Sequence, residues 1–428
     1  MPWRILCIGI FFASATALAH LNRSTAVYLD LNESFVGVEL HIPLEELEAE
    51  THLFLVFEPA QAVAEHRAQI EKHISESLFL IAESGKRWKT KIESLRVDSS
   101  DPNAIPILAV QLESSPPGGA IALDGQSTRN FLLQYHLIRG SASGHSALVS
   151  VRSDWRNAVF RGDPELVGTI REGAESLRID RGEGSEWQGF RGVFVMGLRH
   201  IAEGTDHLLF LFMLLLPAPI LAIGRGVKRH WSRYAGLKPT MLRIGAVVTA
   251  FTLGHSGTLL LGSLGWVHLP SQWVEVMIAV SVLISAIHAI RPLFAGREWI
   301  VAASFGLIHG LAFSNVIAEL GLSSMRTAFA ILGFNLGIEV MQLALVLVIV
   351  PWLILLSRTK FYPLMRVLGG FAGVIAAVFW ILERTIGLRN PTTPTINQLT
   401  HHPVMAIVVL ASLALLANIS QGRAQSRG

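Results

Sequence analysis

The chain has 428 residues, of which 51% are hydrophobic and only 16% charged, with a formal net charge of +3. Soluble domains carry roughly 25% charged residues, so this composition and a mean hydropathy of +0.46 exclude an ordinary soluble enzyme and point to a membrane protein. The pI near 9.2 does not signal a nucleic-acid partner, because the Lys and Arg residues cluster between apolar runs with no stacking aromatics among them.

In chain order, the first stretch "MPWRILCIGIFFASATALAH" has the make-up of a secretory signal: Arg4, an apolar run, then the small-residue site Ala17-Leu18-Ala19. The reading is a cleaved signal peptide over 1–19, with an uncleaved anchor as the alternative. Cleavage exposes His20, whose α-amino group and imidazole together form either a metal chelate or an incidental terminus. The one cysteine, Cys7, lies inside this segment. The mature protein then has neither disulfides nor thiolates, and any metal site must use His, carboxylate or amide groups.

Residues 20–186 read as a β-rich extracytoplasmic domain. "STAVYLDL", "FVGVELHI", "NFLLQYHLI" and "HSALVSVRS" alternate apolar and polar residues as half-buried strands do. "SGKR" and "PPGG" supply turns, "PAQAVAEHRAQIEKHIS" a helix, and "REGAESLRIDRGEGSEWQG" a linker. His41, His52, His66, His73, His136 and His145 are scattered through this domain without ligand spacing.

Residues 187–428 form a transmembrane domain. Apolar spans fall at about 190–216, 244–264, 272–290, 299–319, 328–356, 364–382 and 403–419, each near the roughly 20 residues that a bilayer requires. The fold class is therefore a polytopic α-helical membrane protein of about seven spans, preceded by the signal peptide and the β-rich domain. The basic loops "GRGVKRHWSRYAGLKPTMLR", "RPLFAGRE", "SRTKFYPLMR" and the tail "QGRAQSRG" all fall on one side if the N-terminal domain is outside and the C-terminus cytoplasmic. That orientation agrees with the signal peptide and places the chain in the inner (plasma) membrane. The pair His401-His402 then sits in an outer loop, where it either gathers ions or is simply solvated.

The apolar spans carry polar groups that are costly in lipid unless paired, hydrated or bound. "GLRHIAEGTDHLLFLFMLLL" holds His200, Glu203, Asp206 and His207; "FTLGHSGTLL" holds His255, and "SFGLIHGLAFS" holds His309. "FNLGIEVMQ" puts Asn335, Glu339 and Gln342 at i, i+4 and i+7, on one helix face. On a straight helix His200, Glu203 and His207 lie within about 60° of one another, but His200 and His207 are about 10 Å apart along the axis. One ion then requires a distortion at Gly204, or ligands from other helices; a shallow, hydrated helix end is the alternative. Imidazole and carboxylate without thiolate suit Ni²⁺, Co²⁺ or Zn²⁺. Spans one and four would run oppositely and both carry a G-L-x-H string, "GLRH" and "GLIH". A 3+3 inverted repeat would do this, although three shared letters are better explained by chance.

His200, five intervening residues and Asp206-His207 give H-x5-D-H in a membrane helix. This spacing resembles the hallmark of the HupE/UreJ family of nickel and cobalt permeases, and the resemblance implies that His200, Asp206 and His207 contact metal. The family's second signature, F-H-G-x-A-H-G-x-E, is partly met: Gly306, His309 and Gly310 are kept, but Phe305 and Ala312 stand where the family has His and Glu. "FTLGHSGTLL" and "FGLIHGLAFSNV" resemble the branch with a large N-terminal extracytoplasmic domain, over roughly residues 190 to 385.

Three functions compete. The first is a divalent-metal permease with its cargo held by His200, Glu203, Asp206, His207, His255, His309 and Glu339. The second is an intramembrane zinc-dependent hydrolase, with Ser256 beside His255, although no H-E-x-x-H motif supports it. The third is a membrane-anchored metal sensor or assembly factor, which would not need polar groups at mid-span. Expected partners are the lipid bilayer, a metal ion and a protein partner for the outer domain, with no nucleic acid.

Overall fold

The structure is a computed structural model that describes residues 24–98, 105–117, 128–139, 145–171, 173–224, 226–267, 269–318, 320, 322–392, 394, 398 and 403–425. The expected signal peptide, Cys7, His20 and His401-His402 lie outside the described residues. The chain divides into two compact units, Met1–Gly189 and Phe190–Gly428.

The first unit is built on alternation. β1 (Thr25–Leu31), β2 (Val36–Pro43), β5 (Ile107–Ser115) and β7 (Ser146–Asp154) each bury every second side chain. With β4 (Lys89–Asp98) and β8 (Glu165–Arg171) they form a six-stranded sheet in the order β4-β5-β2-β1-β7-β8. β1 runs antiparallel to β2 and parallel to β7. A second sheet has the order β3-β6-β9, from Leu78–Ala82, Asn130–Tyr135 and Ser176–Asp180. Both sheets and the helices α1 (Leu44–Thr51), α2 (Pro59–Glu65) and α3 (Arg67–Ser77) feed one apolar core. Each fully buried Val, Leu or Ile contributes about 1.5–3 kcal/mol. The edge strand β4 exposes Lys89, Lys91, Glu93 and Arg96, charges that discourage pairing with another chain.

Two expectations need correction here. The single helix expected from "PAQAVAEHRAQIEKHIS" is two, broken at His66. Part of the expected linker is β9, hydrogen-bonded along β6; its alternation is too short and too charged to stand out from a loop.

The second unit is helical. The first expected span is interrupted: α4 (Glu186–Glu203) ends at Gly204, and α5 (Thr205–Leu215) starts beyond it. A hairpin of β10 (Ile220–Ile223) and β11 (His230–Tyr234) occupies part of the basic loop. Then come α6 (Leu237–Ser263), α7 (Ser271–Ile290), α8 (Glu298–Ala318), α9 (Ser324–Ser357, with Pro351 inside), α10 (Tyr362–Ile386) and α11 (Pro403–Gln425). Among the described residues, 5 helical segments are long and apolar enough to cross a membrane: Leu237–Ser263, Ser271–Ile290, Ser324–Ser357, Tyr362–Ile386 and Val404–Gln421. Large apolar side chains such as Leu242, Leu253, Leu347, Leu364 and Val404 stay exposed on them, as contact with a bilayer requires.

The helices pair through glycines. A Cβ on Gly197 would lie 2.1 Å from the Phe334 carbonyl oxygen, and one on Gly337 would lie 2.1 Å from that of Phe194. α6 and α8 repeat the arrangement: Gly254 meets the Ala303 oxygen and Gly306 the Phe251 oxygen, again at 2.1 Å. Only glycine permits such backbone contact. α7 and α10 pair at Ala286, opposite Gly370 and Gly373. Exchanging α4 with α8, α6 with α9 and α7 with α10 converts the first crossing into the second and returns the third to itself. The letters agree, with G-L-x-H at 197–200 and 306–309 and F-x-L-G at 251–254 and 334–337. Packing thus favours a three-helix repeat over chance.

Candidate metal-binding centre

The break at Gly204 builds the centre. Gly204 has extended backbone, φ −72° and ψ 97°, and a Cβ there would stand 2.5 Å from the His200 oxygen and 2.9 Å from His207 Nδ1. Turning at this point brings the His200 and His207 rings to 4.5 Å between centroids, where a straight helix would separate them by about 10 Å. The distortion at Gly204 considered from the sequence is therefore the one the chain adopts.

Asp206 opens α5, where a negative charge suits the helix N-terminus. Its Oδ1 accepts from the His207 backbone N–H at 3.0 Å and from Nδ1 of the same ring at 3.1 Å. With Nδ1 donating, His207 Nε2 accepts from His309 Nδ1, 3.2 Å away, and His309 Nε2 lies 3.1 Å from Ser281 Oγ. On the far side of Asp206, Oδ2 is 3.9 Å from Arg384 Nη2, and Arg384 also pairs with Glu275 at 3.4 Å.

His255 completes the group from α6, its ring 6.1 Å from that of His200. Its tautomer is set by Asn335: the amide Nδ2 donates to the Ile331 oxygen at 2.8 Å, so Oδ1 faces His255 Nδ1 at 3.2 Å and accepts from it. The second ring nitrogen, Nε2, is then a bare lone pair. Among the described residues, neither His255 Nε2 nor His200 Nε2, both buried, has a hydrogen-bond partner. Such atoms are rare in interiors because each forfeits its hydration. Aromatic rings close the space around them: Phe313 and Phe334 on His200, at 4.8 and 5.3 Å, and Phe210 and Phe251 on His309, at 5.4 and 5.2 Å.

Among the described residues, no three His, Cys, Asp or Glu side chains stand ready to hold a metal ion. The hydrogen bonds show why. His207 and His309 spend a lone pair and a proton on each other, so their nitrogens do not share a centre with His200 and His255.

The structure brings together His200, Asp206, His207, His255 and His309. Glu203, the last residue of α4, is exposed and apart from the rings. Glu339 is half-buried and accepts from Thr249 Oγ1 at 3.2 Å instead of joining the histidines. Ser281, Arg384 and the Phe residues are partners that the sequence reading missed; Arg384 in "WILERTIG" looks like a helix-end charge, and Ser281 in "IAVSVLISA" like a neutral filler. Phe305, at the position of the family's first missing ligand, is buried against Phe210 at 5.7 Å, while Ala312, at the second, is exposed.

The family model described as HupE / UreJ protein matches residues 175–384. That segment, which contains the whole histidine group, supports membership of the HupE/UreJ family. No curated protein matches the chain.

Proposed function

We propose that this protein is a permease for a divalent transition-metal ion of the nickel and cobalt type, with His200, His207, His255 and His309 as the ion's ligands and Asp206 as the neutralising carboxylate. The observation that carries this reading is the pair of buried, unpartnered Nε2 atoms on His200 and His255 beside the hydrogen-bonded His207 and His309. Buried nitrogens without partners are a standing cost unless a ligand uses them. Nitrogen donors with a carboxylate and no thiolate fit Ni²⁺, Co²⁺ or Zn²⁺.

The repeat supports transport over anchoring. In a chain whose spans alternate in direction, units α4-α6-α7 and α8-α9-α10 are oppositely inserted, and inverted repeats with a central site are the architecture of many secondary transporters. In this reading α4 with α5 forms one broken span and α8 another, giving seven in all. The outer domain, 20–186, lies outside the inner membrane after removal of 1–19, the transmembrane domain is 187–428, and the C-terminus is cytoplasmic. The outer domain receives a protein partner or delivers the ion. Against the hydrolase, Ser256 Oγ donates to the Thr252 oxygen at 2.7 Å and is not hydrogen-bonded to a histidine.

Uptake of radiolabelled Ni²⁺, Co²⁺ and Zn²⁺ into proteoliposomes tests this. Wild type is expected to accumulate Ni²⁺ or Co²⁺ at least tenfold faster than His207→Ala. Equal, slow movement of every ion by both proteins would defeat the permease reading. Tightly held stoichiometric zinc without flux would transfer support to the hydrolase.

A further inference from the structure

One guanidinium in the helical unit stands between two carboxylates on different helices. Arg384 is the twenty-third of the 25 residues of α10 and Glu275 the fifth residue of α7, so both lie near helix ends and not at mid-span. Arg384 is anchored to α7. Its Nε is 3.4 Å from Glu275 Oε2, its Nη1 donates to the Glu275 carbonyl oxygen at 3.3 Å, and the Gln272 amide donates to the Arg384 oxygen at 2.8 Å. From this anchorage Nη2 reaches to 3.9 Å from Asp206 Oδ2, an ion-pair separation too long for a hydrogen bond. The guanidinium also lies 5.5 Å from the centre of the Trp380 ring. Exposure rises along the series: Asp206 and Arg384 are half-buried, and Glu275 is exposed near the exposed Trp273, an aromatic of the kind that marks a membrane interface.

A strap between α7 and α10 accounts for the contacts with Glu275 and Gln272 but not for the one with Asp206, which belongs to α5. Those two helices are in any case packed through Ala286, Gly370 and Gly373. Asp206 is the carboxylate of the histidine group. Its Oδ1 is committed to His207, and its Oδ2 faces Arg384. A cation entering the group and Arg384 therefore draw on the same negative charge. Charged groups within a membrane domain pair with one another, and an ion site that passes its ion on must hold it weakly enough to let it leave.

We infer that Arg384 is a built-in competitor for Asp206, a positioning residue that limits how tightly the histidine group retains a divalent cation. While the group is empty, the guanidinium shares its charge between Asp206 and Glu275. When an ion takes up the Asp206 charge, Glu275 keeps the guanidinium neutralised in place. Two opposite signs follow. Removing Arg384 leaves Asp206 wholly to the ion and strengthens retention, whereas removing the Glu275 charge leaves the guanidinium wholly to Asp206 and weakens it. A mere strap gives both substitutions the same sign, because each cuts the same bridge. The identity of the ion rests on the permease reading, but retention is read without transport.

The test uses the full chain in nanodiscs with Co²⁺ alone as probe. The visible absorption band of histidine-bound cobalt reports occupancy, and its decay on mixing with excess chelator in stopped flow reports release. Arg384→Gln is expected to slow release about tenfold with the band and its stoichiometry unchanged, and Arg384→Lys, which keeps the charge, to lie closer to wild type. Glu275→Gln, at an exposed position that leaves the packing intact, is expected to speed release. In the double variant release should be as slow as in Arg384→Gln alone, because Glu275 acts through the guanidinium. Release from Arg384→Gln at the wild-type rate or faster would overturn the competitor, as would a wild-type or slower rate in Glu275→Gln. An acceleration by Glu275→Gln that persists in the double variant would overturn it too, since the glutamate would then act on the ion directly. If the variants shift as expected but wild type moves no cobalt into proteoliposomes, the permease reading falls and the competitor stands. No band in wild type would remove the centre and the competitor with it.

Discussion

Two buried polar sites, one in each unit, are treated in opposite ways. In the first unit Asp154 is fully buried, and Arg129 answers both its oxygens, at 2.5 and 3.1 Å, while Arg181 adds a third contact at 3.2 Å. In the helical unit His255 is as deeply buried and His200 partly so, yet each has a buried ring nitrogen with no hydrogen-bond partner among the described residues. Burial by itself therefore does not mark a functional residue, and neither does charge. What separates the two cases is whether the surrounding chain completes the hydrogen bonds. His288 shows that one unanswered nitrogen is not enough: its Nε2 is also buried with no hydrogen-bond partner among the described residues, while its Nδ1 accepts from the Leu293 and Phe294 backbone N–H groups, at 3.2 and 3.3 Å, and the ring stacks on Phe294. It holds the end of α7, as a structural histidine would.

If this contrast is real, removing Asp154 should have the largest effect on stability. Asp154→Ala takes the carboxylate from the buried Arg129 guanidinium, while Arg181 keeps Glu165, and breaking a buried ion pair on one side costs about 3–5 kcal/mol. The expected outcome is early proteolysis of the first unit in the intact, reconstituted chain, at denaturant concentrations where wild type resists, with cobalt binding by the helical unit retained. Loss of cobalt binding at the same denaturant concentration would show that the two units do not keep separate accounts.

The helical unit should answer in the opposite sense. His255→Leu combined with Asn335→Leu removes the unsatisfied nitrogen together with the amide oxygen that its loss would orphan, so the double variant is expected to leave thermal unfolding of the reconstituted chain unchanged or slightly raised. Metal affinity in the same protein should fall about 10–100-fold. A matched loss of stability and affinity would mean that His255 is a packing residue and would erase the contrast.

How far each unit was legible follows from the same physics. Strands such as "FVGVELHI" declare themselves, because burying one face imposes a period of two on the letters. β4, with Lys89, Lys91 and Glu93 on an exposed edge, carries no such imprint, and β9 is hidden among charges. In the membrane, hydrophobicity marks the spans but hides their interruptions: Gly204 is one glycine among many, and only its backbone reveals that it folds His200 onto His207. Spacing on an ideal helix set these two residues apart, and geometry joined them. Glu339 went the other way, since sharing a face with Asn335 suggested a shared role, whereas Asn335 faces His255 and Glu339 faces Thr249. Face periodicity shows which residues look in one direction, and the neighbouring helix decides what each one meets.

The smallest effect expected tests the paired side of the contrast from a different direction. On the six-stranded sheet Glu39 is held by the His41 ring at 2.8 Å and by Arg152 at 2.7 Å. These partners, the histidine hydrogen bond foremost, lower its pKa from 4.5 to about 2 against the opposing effect of burial. Because the folded value lies below the unfolded one, the contribution is complete above about pH 4.5 and disappears as the pH falls toward 2. Glu39 is partly screened by solvent, so the contribution is about 1 kcal/mol. Glu39→Gln should lower the denaturation midpoint of the first unit slightly at pH 7, and this deficit should shrink as the pH falls through that window. A deficit that stays constant from pH 7 to 3 would mean that the glutamate acts there through packing, and that ion pairing on this sheet matters less than its geometry suggests.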